Sequence, residues 1–231
     1  MKRKSLYTAI GRFEHRTNRR GQTYPVILLS GNEYMADLQE MIIWSILNWR
    51  FVRMEEIGVL YEEAALKSVF STERTWKACV ERLLMRGLLI CGKGETEYDA
   101  LYDLLAALCI VPTEGSPFRR AASFLKLSLF SHVPFSSAKR LFHRDRRTED
   151  EKKVMVLAGQ ALLSTAEIIK CVEKDISRLP CEESILDALY DDQYTTSDNL
   201  PFLARSSPSS RPVILAVSNL YLRRQIIFER I

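Results

Sequence analysis

The sequence has no run of uncharged apolar residues long enough to cross a bilayer, although 47% of its 231 residues are hydrophobic. A membrane-spanning helix needs about 18 or more such residues. The basic residues 1–22 also lack the apolar stretch of a signal peptide. We therefore expect a cytoplasmic protein without membrane contact, long enough for one large domain or two small ones.

Cysteine and histidine are too few and too scattered to indicate a metal site or a disulfide framework. The five cysteines form no CxxC pair, and the three histidines have no thiol or carboxylate at ligand spacing. Catalytic signatures are missing as well, because "GKGET" around Lys93 lacks the Walker spacing and no Ser/His/Asp order is present. We expect no metal, no cofactor and no enzymatic activity. Buried reduced thiols are expected, with a redox switch at Cys79 and Cys91 as the alternative.

Positive charge is unevenly distributed, although the net charge is only +4. Residues 1–20 contain seven lysines and arginines against the single acid Glu14, and residues 119–147 contain eight against Asp145. The region 149–192 is acidic by contrast. Such segregation favours a polyanion such as nucleic acid as a partner, although basic tails are often only solvated.

Helical periodicity dominates the chain and predicts a mainly α fold. The segment "TYPVILLS", residues 23–30, is the best strand candidate because it is rich in β-branched residues. We find no convincing internal repeat. Helices are predicted over about residues 36–50, 53–67, 71–86, 96–111, 118–131, 136–144, 148–158, 164–174, 181–190 and 212–229, with capping boxes at Thr96/Asp99, Thr148/Glu151 and Ser164/Glu167.

The third predicted helix lies in the stretch "STERTWKACVERLLMRGLLICGKGE", residues 71–95. Ser71 fits an N-cap, and Gly87 fits the glycine that ends a helix. The following "LLICGKG" predicts a short strand that enters a tight turn at Gly92 and Gly94. The apolar stripe of this helix leaves a polar face that either contacts a partner or is an ordinary solvated surface with Glu–Lys pairs.

Three helices followed by a glycine-marked strand resemble a winged helix-turn-helix of MarR-type and related bacterial regulators, over about residues 36–95. The connection between the second and third helices is longer than in those regulators, and the wing is truncated. The resemblance implies a sequence-specific, DNA-binding transcriptional regulator that reads the major groove with the helix at about residues 72–86. It also implies a basic arm at 1–24, a winged-helix domain at 25–112 and a helical dimerisation or effector domain at 113–231.

The polar face of the third helix and the basic arm carry the expected contacts to double-stranded DNA. Arg74 and Lys77 fit base or phosphate contact near the helix N-terminus, and Ala78 is small enough for close approach. Glu73 and Glu81 oppose nonspecific affinity for DNA. The candidate DNA-binding residues are Thr72, Arg74, Thr75, Lys77, Ala78, Arg82, Lys93, Arg16, Arg19 and Arg20.

Two further function classes stay open. The second half also scans as helix, turn and capped helix, which would make the chain similar to a tandem winged-helix initiator or loader of plasmid or phage replication. A protein–protein adaptor on the same scaffold is the other class. A homodimer with an unidentified effector is expected for the regulator. Its interface would use the apolar stripe of the last helix, and the alternative is that this stripe packs on the core of its own chain. The stripe consists of Val213, Val217, Leu220 and Ile227.

Overall fold

The computed structural model describes residues 3–65, 74–113, 147–177, 187, 189–190 and 194–230. The fold is mixed α/β, so the prediction of a mainly α protein is wrong: 47% of the described residues are helical and 22% are in strands. The helices are α1 Leu38–Leu47, α2 Met54–Ala65, α3 Trp76–Met85, α4 Glu97–Leu105, α5 Glu149–Ala158, α6 Thr165–Glu173, α7 Leu200–Leu203 and α8 Ser210–Leu222, with a 3₁₀ turn at Ala204–Ser206.

Seven strands in the described residues form three small antiparallel sheets. The first strand pairs with the fifth, the second, third and fourth form a meander, and the sixth pairs with the seventh. The strands are β1 Lys4–Ala9, β2 Arg12–Thr17, β3 Thr23–Leu29, β4 Asn32–Tyr34, β5 Leu89–Gly94, β6 Cys109–Pro112 and β7 Ile226–Glu229.

The unpredicted strands explain the error in fold class. Strands β1 and β2 lie in the segment that its basic residues mark as an arm, and β6 and β7 lie where the periodicity predicts the ends of longer helices. In the structure α4 ends at Leu105, and α8 ends at Leu222 before Arg224 takes a left-handed φ of 59°. Strands β1, β6 and β7 are stabilised by partners distant in sequence, which local periodicity does not reveal.

Gly92 and Gly94 lie inside β5 and form no tight turn. A Cβ atom at Gly92 would lie 2.2 Å from the carbonyl oxygen of Ala100, and one at Gly94 would lie 2.4 Å from the Ala100 nitrogen. These glycines therefore allow the backbone of α4 to pack directly on β5. Close approach of another backbone is a common reason for glycine inside a strand.

Strands and helices follow one order twice along the chain. In the first unit, β1 to β5, the first strand pairs with the last and also bridges Val52, which lies between α1 and α2. In the second unit, β6 to β7, the first strand again pairs with the last and bridges Ser164, which lies between α5 and α6. The last strand directly follows a final helix in each unit, α3 or α8. The described elements of the two units therefore follow a similar order, apart from strands β2 to β4 in the first unit and α7 with its 3₁₀ turn in the second.

The two units share one hydrophobic core, which includes Trp44, Leu83, Val154 and Phe228. Tyr221 of α8 joins them, because its hydroxyl lies 2.8 Å from the Thr8 hydroxyl and donates to the carbonyl oxygen of Ala9 at 2.9 Å.

The three-domain division stays a prediction. Within it, β1 of the expected arm pairs with β5, and β6 before the expected boundary at residue 112 pairs with β7 beyond it.

The apolar stripe expected at a dimer interface lies in the core of a single chain. Val213, Val217, Leu220 and Ile227 are all buried, and Ile227 belongs to β7 instead of the last helix. This corresponds to the second of the two expectations for the stripe, docking on its own core. A homodimer through another surface stays a prediction.

No helix in the described residues is long and apolar enough to span a membrane.

Candidate nucleic-acid interface

Helix α3 begins at Trp76, five residues later than the predicted N-cap Ser71. Thr75 is the N-cap, with extended backbone angles and a hydroxyl that accepts from the Ala78 N–H at 3.3 Å. Ser71 and the candidate residue Thr72 lie outside the described residues. Arg74 therefore precedes the helix and is not on its polar face.

The C-terminal end of α3 confirms the predicted role of Gly87. This residue has a φ of 69°, and its N–H donates to the carbonyl oxygen of Leu84 at 3.0 Å. The N–H of Leu88 donates to the carbonyl oxygen of Leu83 at 2.9 Å, which completes a Schellman motif. The same motif ends α8, where Arg224 and Gln225 donate to Tyr221 and Leu220 at 2.8 and 2.9 Å.

Arg74 forms an ion pair with Asp37, the N-cap of α1. Burial alone would raise the pKa of Asp37. Hydrogen bonds from the Glu40 N–H and from Arg74 outweigh this effect, so that the pKa of Asp37 is lowered. The hydrogen bond to Asp37 raises the pKa of Arg74. The Arg74 carbonyl oxygen also accepts from the Gln39 amide at 3.2 Å. Arg74 therefore links the start of α3 to the start of α1.

Arg82 and Arg86 both contact the carboxylate of Glu40, whose side chain is only 1% exposed. Arg82 Nε lies 2.7 Å from Oε1, and Arg86 Nη1 lies 2.9 Å from Oε2. Arg86 Nη2 also donates to the carbonyl oxygen of Met35. Because a buried carboxylate needs paired donors, this cluster fixes α3 against α1.

Arg82 and Arg86 differ in which guanidinium nitrogens remain available to a ligand. Arg82 uses only its Nε in the pair with Glu40, and 46% of its side chain is exposed. Its two terminal nitrogens can donate to a phosphate. Arg86 uses both terminal nitrogens within the protein, which leaves it a structural role.

The rest of the outer face of α3 is polar and exposed. Lys77 is exposed, with its ammonium 5.5 Å from the centroid of the Trp76 ring. Ala78 is half-buried beside it, and Glu81 is exposed one turn further along. Trp76 itself packs toward α2, where a Cβ on Gly58 would lie 2.9 Å from the indole. Lys77 is therefore an exposed cation of α3 that, unlike Arg82, forms no ion pair among the described residues.

The three remaining predicted residues of the arm lie on a β-ribbon formed by β2 and β3. Strand β4 pairs with β3 only as far as Ile27, so that the first four residues of β3 and the turn before them extend beyond the third strand. Val26, the fourth of these residues, is buried, whereas the three before it are not. Three residues of a strand span about 10 Å. Asn18 closes the turn, since its side-chain oxygen accepts from the N–H groups of Arg20 and Gln22 at 2.9 and 3.0 Å.

Arginines follow the whole length of this ribbon. Arg16 pairs with Glu33 at 2.7 Å and with Glu14 at 3.4 Å. Arg19 and Arg20 are exposed at the tip, and neither forms a side-chain ion pair within the described part of the chain. The tip is therefore the place where positive charge is least neutralised by neighbouring carboxylates.

Lys93 lies on β5, opposite Ser5 of β1, and its N–H donates to Asp103 at 2.8 Å. Its side chain is exposed. The structure thus distributes the predicted residues over three places: the start and outer face of α3, the ribbon, and β5. The meander and α3 approach each other where Arg86 contacts Met35, directly after β4.

Sequence reasoning missed Asp37, Glu40 and Arg86, which hold α3 in place. The spacing of Asp37 and Glu40 is that of a capping box, and the structure contains that box. The sequence therefore contained a signal for the helix start. It contained none for the burial of Glu40, which depends on contacts across the fold.

No metal-binding group of three or more His, Cys, Asp or Glu side chains occurs among the described residues. Comparison of the chain with protein-family models, with curated proteins and with solved structures finds no match. The resemblance to MarR-type regulators therefore stays a hypothesis that depends on the residues alone.

Proposed function

We propose that the protein is a cytoplasmic, DNA-binding transcriptional regulator that contacts duplex DNA with the tip of the β2–β3 ribbon and the outer face of α3. The observation that carries this proposal is the pair Arg19 and Arg20, exposed at the end of a projecting ribbon. Phosphate contacts by arginine and lysine supply most of the affinity of such proteins for DNA.

The dimensions of both elements suit a groove. The major groove of B-DNA admits an α-helix or a two-stranded β-ribbon. Helix α3 has 10 residues and is therefore about 15 Å long. Thr75, Lys77 and Ala78 lie at its N-terminal end, where exposed N–H groups and the helix dipole favour phosphate.

The ion pairs of Arg74 and Arg82 change the roles expected for these residues. Arg74 is engaged by Asp37, and we assign it to the scaffold of α3. Arg82 is oriented by Glu40 and keeps its terminal nitrogens for a phosphate. Sequence preference is then left to Lys77 and to Arg19 and Arg20 at the ribbon tip, because these side chains are exposed and form no ion pair within the described part of the chain.

Charge removal at the ribbon tip tests the proposal. The double variant Arg19→Gln/Arg20→Gln should bind a duplex selected from a random pool more weakly, and its salt slope should fall by about 1 for each phosphate that the protein no longer neutralises. Lys152→Gln/Lys153→Gln, which removes two exposed cations of α5, is the matched control. Equal affinity and equal salt slopes for both double variants would contradict DNA binding through the ribbon.

The repeated order of strands and helices favours a second candidate, a replication initiator with two related units on one chain. Such a protein can bind direct repeats as a monomer, whereas a regulator is expected to bind a pseudo-palindrome as a dimer. The sequence symmetry of the selected duplexes, together with the mass of the complex in solution, distinguishes the two.

A further inference from the structure

A cleft of about 660 Å³ opens beside the base of the ribbon, where β2, the end of α1 and strand β6 meet. Its lining includes the buried Trp44, a cation, two further aromatic rings and three small polar side chains: Arg12, Phe13, Ser45, Asn48, Trp49 and Thr113. This volume is in the range of small-molecule sites, which bind a planar ligand with apolar walls and a few polar groups.

Trp49 is held in this cleft at the expense of backbone strain. Its φ of 57° is left-handed, which is unfavourable for a bulky residue. Two hydrogen bonds fix it, because its N–H donates to the Tyr221 hydroxyl at 2.9 Å and its indole N–H to the carbonyl oxygen of Ile226 at 3.3 Å. The guanidinium of Arg224 lies 5.2 Å from the centroid of its ring. Strain maintained by several contacts is typical of functional positions.

Phe13 and Arg12 bring the second ring and the charge. Phe13 is 42% exposed, and its ring contacts that of His15 edge-on with 4.8 Å between the centroids. Arg12 pairs with Glu14 through Nε at 3.1 Å and keeps 58% of its side chain exposed. Arg12 and Phe13 are consecutive residues of β2, so their side chains leave the strand on opposite faces. Both residues line the cleft, and the terminal nitrogens of Arg12 can donate to a ligand.

We propose that this cleft binds a nucleotide, with the base against Phe13 and Trp49 and the phosphate on Arg12. Aromatic rings next to arginine are the usual platform for an unstacked base. Arg12 belongs to the same strand as Arg16 of the ribbon, so that a strand bound along the ribbon leads to the cleft. The inference deepens the proposed function. If the nucleotide is an unpaired position of a DNA strand, the inference rests on the proposed DNA binding.

The nucleotide has two sources, an unpaired position of a DNA strand or a free mononucleotide. Fluorescence anisotropy of a labelled dT15 oligonucleotide measures the first, and quenching of tryptophan fluorescence by thymidine or adenosine monophosphate measures the second. A labelled duplex without unpaired bases is titrated in parallel, because it reports the proposed duplex binding separately from the cleft.

Phe13→Ala and Arg12→Gln are the test variants, and Phe202→Ala is the matched control, since Phe202 is an exposed aromatic residue of α7 that does not line the cleft. Stacking on one aromatic side chain contributes about 1–3 kcal/mol, or roughly 5- to 150-fold in affinity. We expect Phe13→Ala to weaken binding of dT15 or of the mononucleotide at least about 5-fold, with duplex affinity within about 2-fold of the unchanged protein.

The outcomes separate the two proposals. Weaker binding of dT15 alone assigns the cleft to a strand, and weaker binding of the mononucleotide alone assigns it to a free nucleotide. If the protein does not bind the duplex, but Phe13→Ala specifically weakens binding of dT15 or of the mononucleotide, the proposed function is overturned and the nucleotide site is retained. Binding of neither probe, or equal binding by Phe13→Ala and Phe202→Ala, overturns the nucleotide site.

Discussion

Arg86 donates to the buried carboxylate of Glu40 at 2.9 Å, and Arg223 donates to the buried carboxylate of Glu151 at 3.1 Å in the corresponding place of the second unit. Each glutamate is the third residue of its helix and belongs to a capping box, and each arginine is the C-cap of the last helix of its unit. The repeat of strand and helix order therefore extends to one buried ion pair that joins the first helix of the unit to its last.

The two pairs differ in how completely the carboxylate is satisfied. Both oxygens of Glu40 have arginine partners, whereas Oε1 of Glu151 has no hydrogen-bond partner within the described residues. Counting four residues back from the C-cap arginine gives Arg82 in the first unit and the exposed Asn219 in the second. The first unit thus has an additional cation on its last helix, on the side where DNA contact is proposed.

Replacing each buried glutamate by glutamine should therefore have unequal effects. Glu40→Gln weakens two charge-assisted hydrogen bonds and should lower the free energy of unfolding by about 1–3 kcal/mol. Glu151→Gln should lower it less, because only Oε2 of Glu151 accepts hydrogen bonds among the described residues, and the amide oxygen of glutamine can take its place. Urea denaturation measures both free energies. Glu33→Gln, at an exposed position of β4, is the control and should change the free energy of unfolding by no more than about 0.5 kcal/mol. A larger decrease for Glu151→Gln than for Glu40→Gln would contradict the comparison.

Gly92→Ala should be among the most destabilising single-methyl changes in the protein. The added Cβ would lie 2.2 Å from the carbonyl oxygen of Ala100 and 2.4 Å from the Leu104 nitrogen, both backbone atoms of α4. Overpacking of this kind lowers stability by about 1–3 kcal/mol or more. Gly159→Ala is the control, because its nearest contact is 3.1 Å. Thermal unfolding of the two variants gives the result, and a melting temperature of Gly92→Ala close to that of Gly159→Ala would show that α4 can move away from β5.

Tyr221 should make stability depend on alkaline pH. Burial raises the pKa of its hydroxyl to about 12. The contribution of the neutral hydroxyl to stability is therefore complete below the pKa of an unfolded tyrosine, about 10, and is lost as the pH rises toward 12. We expect Tyr221→Phe to be less stable than the unchanged protein at about pH 8 by about 1–3 kcal/mol, because Thr8 and Trp49 lose a partner.

The stability difference between Tyr221→Phe and the unchanged protein should narrow between about pH 10 and about pH 12, since the variant has no phenol to ionise at this position. Urea denaturation at both pH values measures the difference. A difference that stays constant over this interval would mean that the hydroxyl ionises no more easily in the unfolded chain than in the folded one.

Local signals in the sequence predict helix ends well and strand partners poorly. The capping boxes at Thr96, Thr148 and Ser164 and the terminal glycine Gly87 are confirmed, because each depends on residues within one turn of the helix. The strands β1, β6 and β7 have no such local signal, because their partners lie far along the chain. For the candidate site, exposure of Arg19 and Arg20 agrees with the predicted surface, but the pairs of Arg74 and Arg82 with α1 depend on tertiary contacts.

Lys77 and Arg86 should show opposite effects on DNA binding and on stability. Lys77 is exposed, and its ammonium lies over the Trp76 ring. Lys77→Gln should therefore reduce affinity for the selected duplex by about 1–3 kcal/mol and change the free energy of unfolding by no more than about 0.5 kcal/mol.

Arg86→Gln removes one of the two cations from Glu40 and the hydrogen bond to Met35. The free energy of unfolding should fall by about 1–3 kcal/mol. The fraction that stays folded should bind DNA with nearly unchanged affinity, because Arg86 is less exposed than Arg82 and both of its terminal nitrogens already donate to Glu40 and Met35. Anisotropy titrations with each variant, corrected for the folded fraction from urea denaturation, measure both quantities. If Lys77→Gln keeps full affinity and fully folded Arg86→Gln does not, the DNA contact lies at the C-terminal end of α3 instead. If neither variant loses affinity, α3 is not the DNA contact, and a protein partner at the exposed Met35 and Met85 becomes the better hypothesis.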